Sequence, residues 1–284
     1  MNTSVTARAL GEMAWSLRSP QREIPPVSAP TFGFRLRKND LLTALPDAEW
    51  RRWEHHLEPV ELPLGKVLHE SGSTMEHAYF PTTAIVSLLY ASEDGSSTEV
   101  AVVGKEGLVG IPLLLGGAQA TTRTVVKCAG AGFRLRASVF RNGFDRAPVL
   151  RLLLRFTQAL ITQMSLMAVC NRHHSLVQQL SRTFLLCLDR LDGNDLVMTH
   201  ELIANMLGVR REGVTEGALS LQRAGLIQYA RGHIVVLDRP GLEKRSCECY
   251  AAVKKEYDRL LPRAPSVAGR QRVAFDRASA HQFA

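Results

Sequence analysis

The chain has 284 residues, 35 Lys+Arg against 27 Asp+Glu, and a formal net charge of +8. Its length suits one large domain or two small ones, and 45% hydrophobic residues are enough for a core and exclude wholesale disorder. No unbroken apolar run reaches the ~18–20 residues of a membrane span, and the N-terminus lacks a secretory pattern, so a cytoplasmic protein without a membrane partner is expected.

Residues 1–38 read as a disordered tail, with four prolines between Arg18 and Pro30. Residues 39–57 read as helical: Leu42, Leu45, Trp50, Trp53 and Leu57 recur at helical spacing, with Asp40 as the candidate cap. From Val60 to Ala137 the period changes to short β-rich runs between turn residues. Glu93-Asp94-Gly95-Ser96 reads as a hairpin turn, because Asp-Gly supplies positive φ. Residues 39–145 are therefore expected to form a sensor-like unit built on an antiparallel β-roll (double-stranded β-helix or jelly roll).

Residues 146–174 read as one long helix. Leu150, Leu154, Thr157, Ile161, Met164 and Ala168 follow the 4-3 spacing of a coiled-coil seam, while Leu153, Phe156, Leu160 and Met167 form a second apolar stripe. A helix apolar on two faces needs two partners, here the β unit and either the same helix of a second subunit or the rest of its own core. A second helix is expected over Ser175–Leu191, within a C-terminal unit of residues 175–261. Residues 262–284 read as a second disordered tail. The fold class is α+β.

The segment from Met198 to Asp238 has the layout of a winged helix-turn-helix. Thr199 caps a helix ending at Leu207, Gly208 permits a sharp left-handed turn, and a second helix runs from about Arg210 to Ala224. Two short strands follow, with Gly232 in their turn. Double-stranded DNA fits this layout, because a helix in the major groove presents its N-terminal side chains to base edges. Arg210 and Arg211 can fork to guanine and Glu212 can accept from a cytosine amine. Thr215 and Glu216 lie one turn further along that helix, and Thr199 and the wing residue Arg231 are placed for phosphates.

In this order of parts, and in Ile203-Ala204-x-x-Leu207-Gly208-Val209-x-Arg211-Glu212-x-Val214 followed by Leu221 and Gly225-Leu226-Ile227, the chain resembles the Crp/Fnr family of bacterial transcription regulators over about residues 40–240. The resemblance implies a homodimer on a pseudo-palindromic operator, base reading by Arg211 and Glu212, and RNA polymerase as a further partner. Where the family usually has an arginine four residues after that glutamate, this chain has Glu216, and its usual Ser or Thr before the Arg-Glu pair is Arg210, so the operator should differ. The family's cyclic-nucleotide pocket uses a Gly-Glu pair and an arginine. Here those slots hold Gly110-Ile111 and Thr122, with Arg123 one place along and thus on the opposite strand face. Cyclic nucleotide binding is therefore not expected. The candidate effector residues are Gly110, Thr122, Arg123 and Ser165, for a different small molecule or for none.

No cofactor or metal is expected. The family's N-terminal iron–sulfur cysteines are missing, since the first cysteine is Cys128. Cys128, Cys170 and Cys187 read as buried small hydrophobes, and Cys247-Glu248-Cys249 as a weak metal or redox signal. Catalytic signatures are absent: His200-Glu201 opens like a zinc-protease motif, but its second ligand position is Ala204. The leading reading is a sequence-specific DNA-binding regulator, and the alternative is a small-molecule or thiol sensor acting through a protein partner. The net charge does not decide between them, because residues 197–242 carry five arginines against four acids.

Overall fold

The computed structural model describes residues 38–261, apart from 94–95 and 144–145. The two expected tails, save residue 38, and the Asp94-Gly95 turn lie outside the described residues.

Helix α1 (Asp40–Thr43) is capped by Asn39, not Asp40: Asn39 Oδ1 accepts from Leu42 N at 3.2 Å. The same buried side chain donates from Nδ2 to the Pro81 and Gly107 carbonyls, each at 2.8 Å. This position needs an amide, since a carboxylate has no donor for those two oxygens. The single helix expected over 39–57 is broken, because Pro46 cannot continue α1 and instead precedes α2 (Asp47–Trp53), which ends in a 3₁₀ turn (Glu54–His56).

The β-roll follows as β1 (Glu58–Leu62), β2 (Val67–His69), β3 (His77–Pro81), β4 (Ile85–Ala91), β5 (Ser97–Val103), β6 (Arg123–Cys128) and β7 (Gly130–Arg136), with the short helix α3 (Ile111–Leu114) between β5 and β6. The strands form two antiparallel sheets of order β1-β7-β3 and β2-β6-β4-β5. Their core includes Leu62, Phe80, Ile85, Ala101, Val103 and Leu135. Trp53 brings α2 onto this core through Phe80 and Phe140, the latter on α4 (Ala137–Arg141).

Helix α5 (Ala147–His173) lies against the roll, and its stripe Leu153, Phe156, Leu160 and Met167 is buried. An 18-residue window of α5 reaches a mean hydropathy of 1.3, with 44% of it buried inside the protein. Counting unbroken runs overlooked this window, which passes for a membrane span by length and composition. One face of it is buried against the roll, as in a core helix. Gln163 fixes the contact. Its carboxamide accepts from Val102 N at 3.3 Å and donates to Val102 O at 3.1 Å and to the Tyr257 hydroxyl at 2.8 Å. It thus pairs with edge strand β5 as a neighbouring strand would.

Ser175 interrupts the helix and caps α6 (Leu176–Leu188) in a capping box with Gln178. The winged unit comprises β8 (Asp195–Val197), α7 (His200–Leu207), α8 (Arg211–Arg223), β9 (Ile227–Ala230) and β10 (His233–Val236), with sheet order β8-β10-β9. Strand β8 was not expected from the sequence. Nor were α9 (Arg239–Arg245) and α10 (Glu248–Leu260), the last of which packs back on α5 and α6.

Candidate functional site

The turn between α7 and α8 is built as its residues dictate. Thr199 Oγ1 accepts from Leu202 N at 3.2 Å, and Gly208 closes α7 at φ +65°, where a side chain would be strained. Helix α8 buries Val214, Ala218 and Leu221. Gly217 is also buried, and a Cβ there would lie 2.6 Å from Leu180 Cδ1, so a bare backbone lets α6 approach.

The opposite face of α8 is open. Arg210, Arg211, Glu212 and Glu216 are exposed at or near its start, and Thr199, before α7, and Arg231, in the wing turn, are also exposed. Arg231 adopts φ +49° in the wing turn, a left-handed conformation rare outside glycine. Thr215 differs from its expected role. It is half-buried, donates to Arg211 O at 3.1 Å and lies 3.0 Å from His200 Nδ1, so its hydroxyl is engaged within the fold. The His200 ring stacks on Tyr229 at 4.1 Å, and burial, then the Arg211 charge, hold its pKa below the ordinary value. His200 thus braces the start of α8 as a neutral ring.

The winged unit also rests on the roll. Helix α7 contacts β5, and a Cβ on Gly208 would stand 3.0 Å from Thr98 Oγ1. Beneath this contact lies a buried polar cluster. Lys127 Nζ meets both Glu99 oxygens at 3.2 and 3.1 Å, and Ser87 Oγ donates to Glu99 and lies 3.8 Å from Met206 Sδ. Burial opposes the Lys127 charge, but Cys187 and Glu99 together keep its pKa above the usual lysine value.

A cavity of about 390 Å³ opens between the roll and α5. Gly110 and Thr122 line it, with Leu88, Leu108, Thr157, Ile161, Met164 and other mainly apolar residues. Arg123 and Ser165 do not. Arg123 pairs with Glu70 at 3.0 Å on the surface, as its strand phase requires, and Ser165 is exposed and bonded back to Ile161 O. Among the described residues, no Lys, Arg, Asp or Glu lines this cavity. Its imidazole, His69, is held by the His77 carbonyl at 3.0 Å and the Thr124 hydroxyl at 3.2 Å, and burial lowers its pKa. The lining is therefore uncharged at neutral pH.

The six seam residues of α5 divide by exposure. Leu154 and Ile161 are 48% and 52% exposed and Ala168 is exposed, whereas Leu150 and Met164 are half-buried and Thr157 is buried. Thr157, Ile161 and Met164 also belong to the cavity wall.

The cysteines add most to the sequence reading. Cys170 and His174 at the end of α5 and Cys247 and Cys249 at the start of α10 bring three thiols and an imidazole together, with ligand atoms all within 4.8 Å of one another. Cys170 is buried, as expected, and the Cys-x-Cys pair has partners that spacing alone could not supply. Burial pushes the Cys249 thiol up to about 11 and also raises that of Cys170, against which the Arg182 charge acts.

Residues 178–245 match the model of the Crp-like helix-turn-helix domain. No curated protein matches the chain. Among solved structures, it is similar to a regulator assigned to the Crp/Fnr family from Eubacterium rectale, at 19% identity, covering 73% of this chain and 98% of that one, with a TM-score of 0.58. It is also similar to FixK2 from Bradyrhizobium japonicum, at 17% identity over 67% and 98%, with a TM-score of 0.57. A CRP/FNR-family regulator from Thermus thermophilus gives 22% identity over 66% and 98%, with a TM-score of 0.55. The chain thus carries a Crp-like helix-turn-helix domain and shares the fold of these regulators.

Proposed function

We propose that the protein is a homodimeric, sequence-specific DNA-binding transcription regulator. The observation that carries this reading is the exposed Arg210-Arg211-Glu212 cluster at the start of α8, within the segment matching the Crp-like domain. Each subunit would place that end of α8 in a major groove, with Thr199 and Arg231 on flanking phosphates, and half-sites would lie one or more turns of about 10 bp apart. Residues 39–145 would act as the sensor, 146–174 as the dimerisation helix and 175–261 as the DNA-binding unit. The exposed Leu154 and Ile161 support a second α5 as the partner of this face.

The uncharged cavity supports a neutral, mainly apolar effector and argues against a cyclic phosphate, whose charge would be buried without a cation. Because Thr157, Ile161 and Met164 serve both cavity and seam, an occupant would bear directly on how two α5 helices pack.

A gel shift with the protein's own upstream DNA tests this reading. The wild type gives a specific complex and Arg211→Ala loses it. No specific wild-type complex under any effector condition overturns it. Glu216 on the reading face favours a protein partner instead; a steep loss of DNA affinity with added salt decides for DNA, since phosphate contacts release counterions.

A further inference from the structure

We propose that Cys170, His174, Cys247 and Cys249 bind one Zn²⁺ ion as a tetrahedral site of three thiolates and one imidazole, stapling α10 to the end of α5. The spacing fits a single ion. Cys170 and Cys247 sulfurs stand 3.4 Å apart and Cys249 sulfur stands 3.7 Å from His174 Nδ1. A tetrahedron with Zn–S bonds of about 2.3 Å has edges of about 3.8 Å. A disulfide, at about 2.05 Å, does not describe a set of three thiols and a ring nitrogen. A multi-iron cluster would distribute its ligands over several metal atoms and spread them further than this set.

Two observations outside the four donors point the same way. The first is orientation. His174 Nε2 is held by the Glu248 carboxylate at 3.2 Å, leaving Nδ1 for the thiol side. This is the arrangement by which outer carboxylates fix metal-bound histidines. Gln179 donates to the His174 carbonyl at 2.9 Å and to the Cys170 carbonyl at 3.5 Å, holding the backbone of both α5 ligands.

The second is charge. Arg182 on α6 is 1% exposed, and none of its three guanidinium nitrogens has a hydrogen-bond partner among the described residues. Its charge is felt at Cys170. A buried lone cation is costly. Zn²⁺ with three thiolates and a neutral imidazole carries one net negative charge, which Arg182 would balance. The start of α10, where Cys247 caps the helix and Cys249 lies in its first turn, adds a positive helix end that favours thiolates.

Cys170 lies in the last turn of α5 and His174 just beyond its end, before Ser175 caps α6. An ion there would anchor the C-terminal helix beyond the wing to this end of α5.

The test uses the full chain purified under reducing conditions. Elemental analysis should find one zinc per chain, and Co²⁺ added to the metal-stripped chain should give thiolate charge-transfer and tetrahedral visible bands saturating at one equivalent. Cys249→Ser should weaken Co²⁺ binding at least as much as Glu248→Gln, which should cost about 10–100-fold while keeping the stoichiometry. Cys187→Ser, a buried thiol outside the cluster, should bind as the wild type does. If the serine variant fails to fold, the wild type and Glu248→Gln still decide the matter. The proposal is overturned if the wild type neither retains zinc nor gives thiolate–Co²⁺ bands, if Cys187→Ser loses the metal, or if the chain carries iron with acid-labile sulfide.

Discussion

Replacing Gln163 by Met keeps the volume of the side chain and removes every hydrogen bond it makes. Three groups then lose their partner: the Val102 N–H, the Val102 carbonyl and the Tyr257 hydroxyl, at 3.3, 3.1 and 2.8 Å in the native protein. Gln163 is fully buried, so water does not replace it without rearrangement. At about 1–3 kcal/mol for each buried group left unmet, and with some gain from the apolar thioether, the net loss should be about 3–5 kcal/mol. For a folded unit of this size that is a fall in thermal midpoint of about 6–20 °C. Tyr257→Phe removes one of the three bonds and should cost about 1 kcal/mol. Calorimetry or circular dichroism of the three proteins gives the comparison. If Gln163→Met melts within about 2 °C of the wild type, the amide is not what joins α5, β5 and α10, and the reasoning fails.

Further outcomes follow from other residues. Asp40, whose pKa burial and then Glu106 raise to about 6, ionises more readily in the unfolded chain. Its contribution to stability is therefore lost as pH rises from the ordinary aspartate value of 3.8 through 6, and Asp40→Asn should raise the thermal midpoint at pH 8 and leave it unchanged near pH 3.5. A gain in the variant at low pH instead would contradict this sign. Glu99→Gln strands the Lys127 charge, which is 1% exposed, and should cost about 3–5 kcal/mol by denaturant titration. Gly208→Ala forces a side chain to φ +65° and towards Thr98, and should lower stability by about 1 kcal/mol; an unchanged midpoint would show that the turn relaxes freely.

Residues that act through their near neighbours were legible in the sequence. Thr199 caps its helix and Gly208 turns left-handed because both depend on a single turn of backbone. The apolar periods gave the roll, the long helix and α8 for the same reason. The charged look of Arg239–Leu260 hid two helices, although Tyr250, Val253, Tyr257 and Leu261 recur at helical spacing and are all buried. Glu99 shares its strand face with Ala101 and Val103, so alternation put it inside. Alternation did not reveal that Lys127, on a strand elsewhere in the sheet, would meet it there. The thiol cluster was least legible, because Cys170 and Cys247 are 77 residues apart and meet only once α10 has folded back.

The overlap of cavity and seam at Thr157, Ile161 and Met164 has a thermodynamic consequence. If two such helices pair, occupancy and association are linked functions of the same three side chains. A molecule that tightens the pair by some factor must itself be held more tightly by the pair, by the same factor. Effector affinity measured on dilute and on concentrated protein would then differ, and that difference would measure the coupling without any DNA being present.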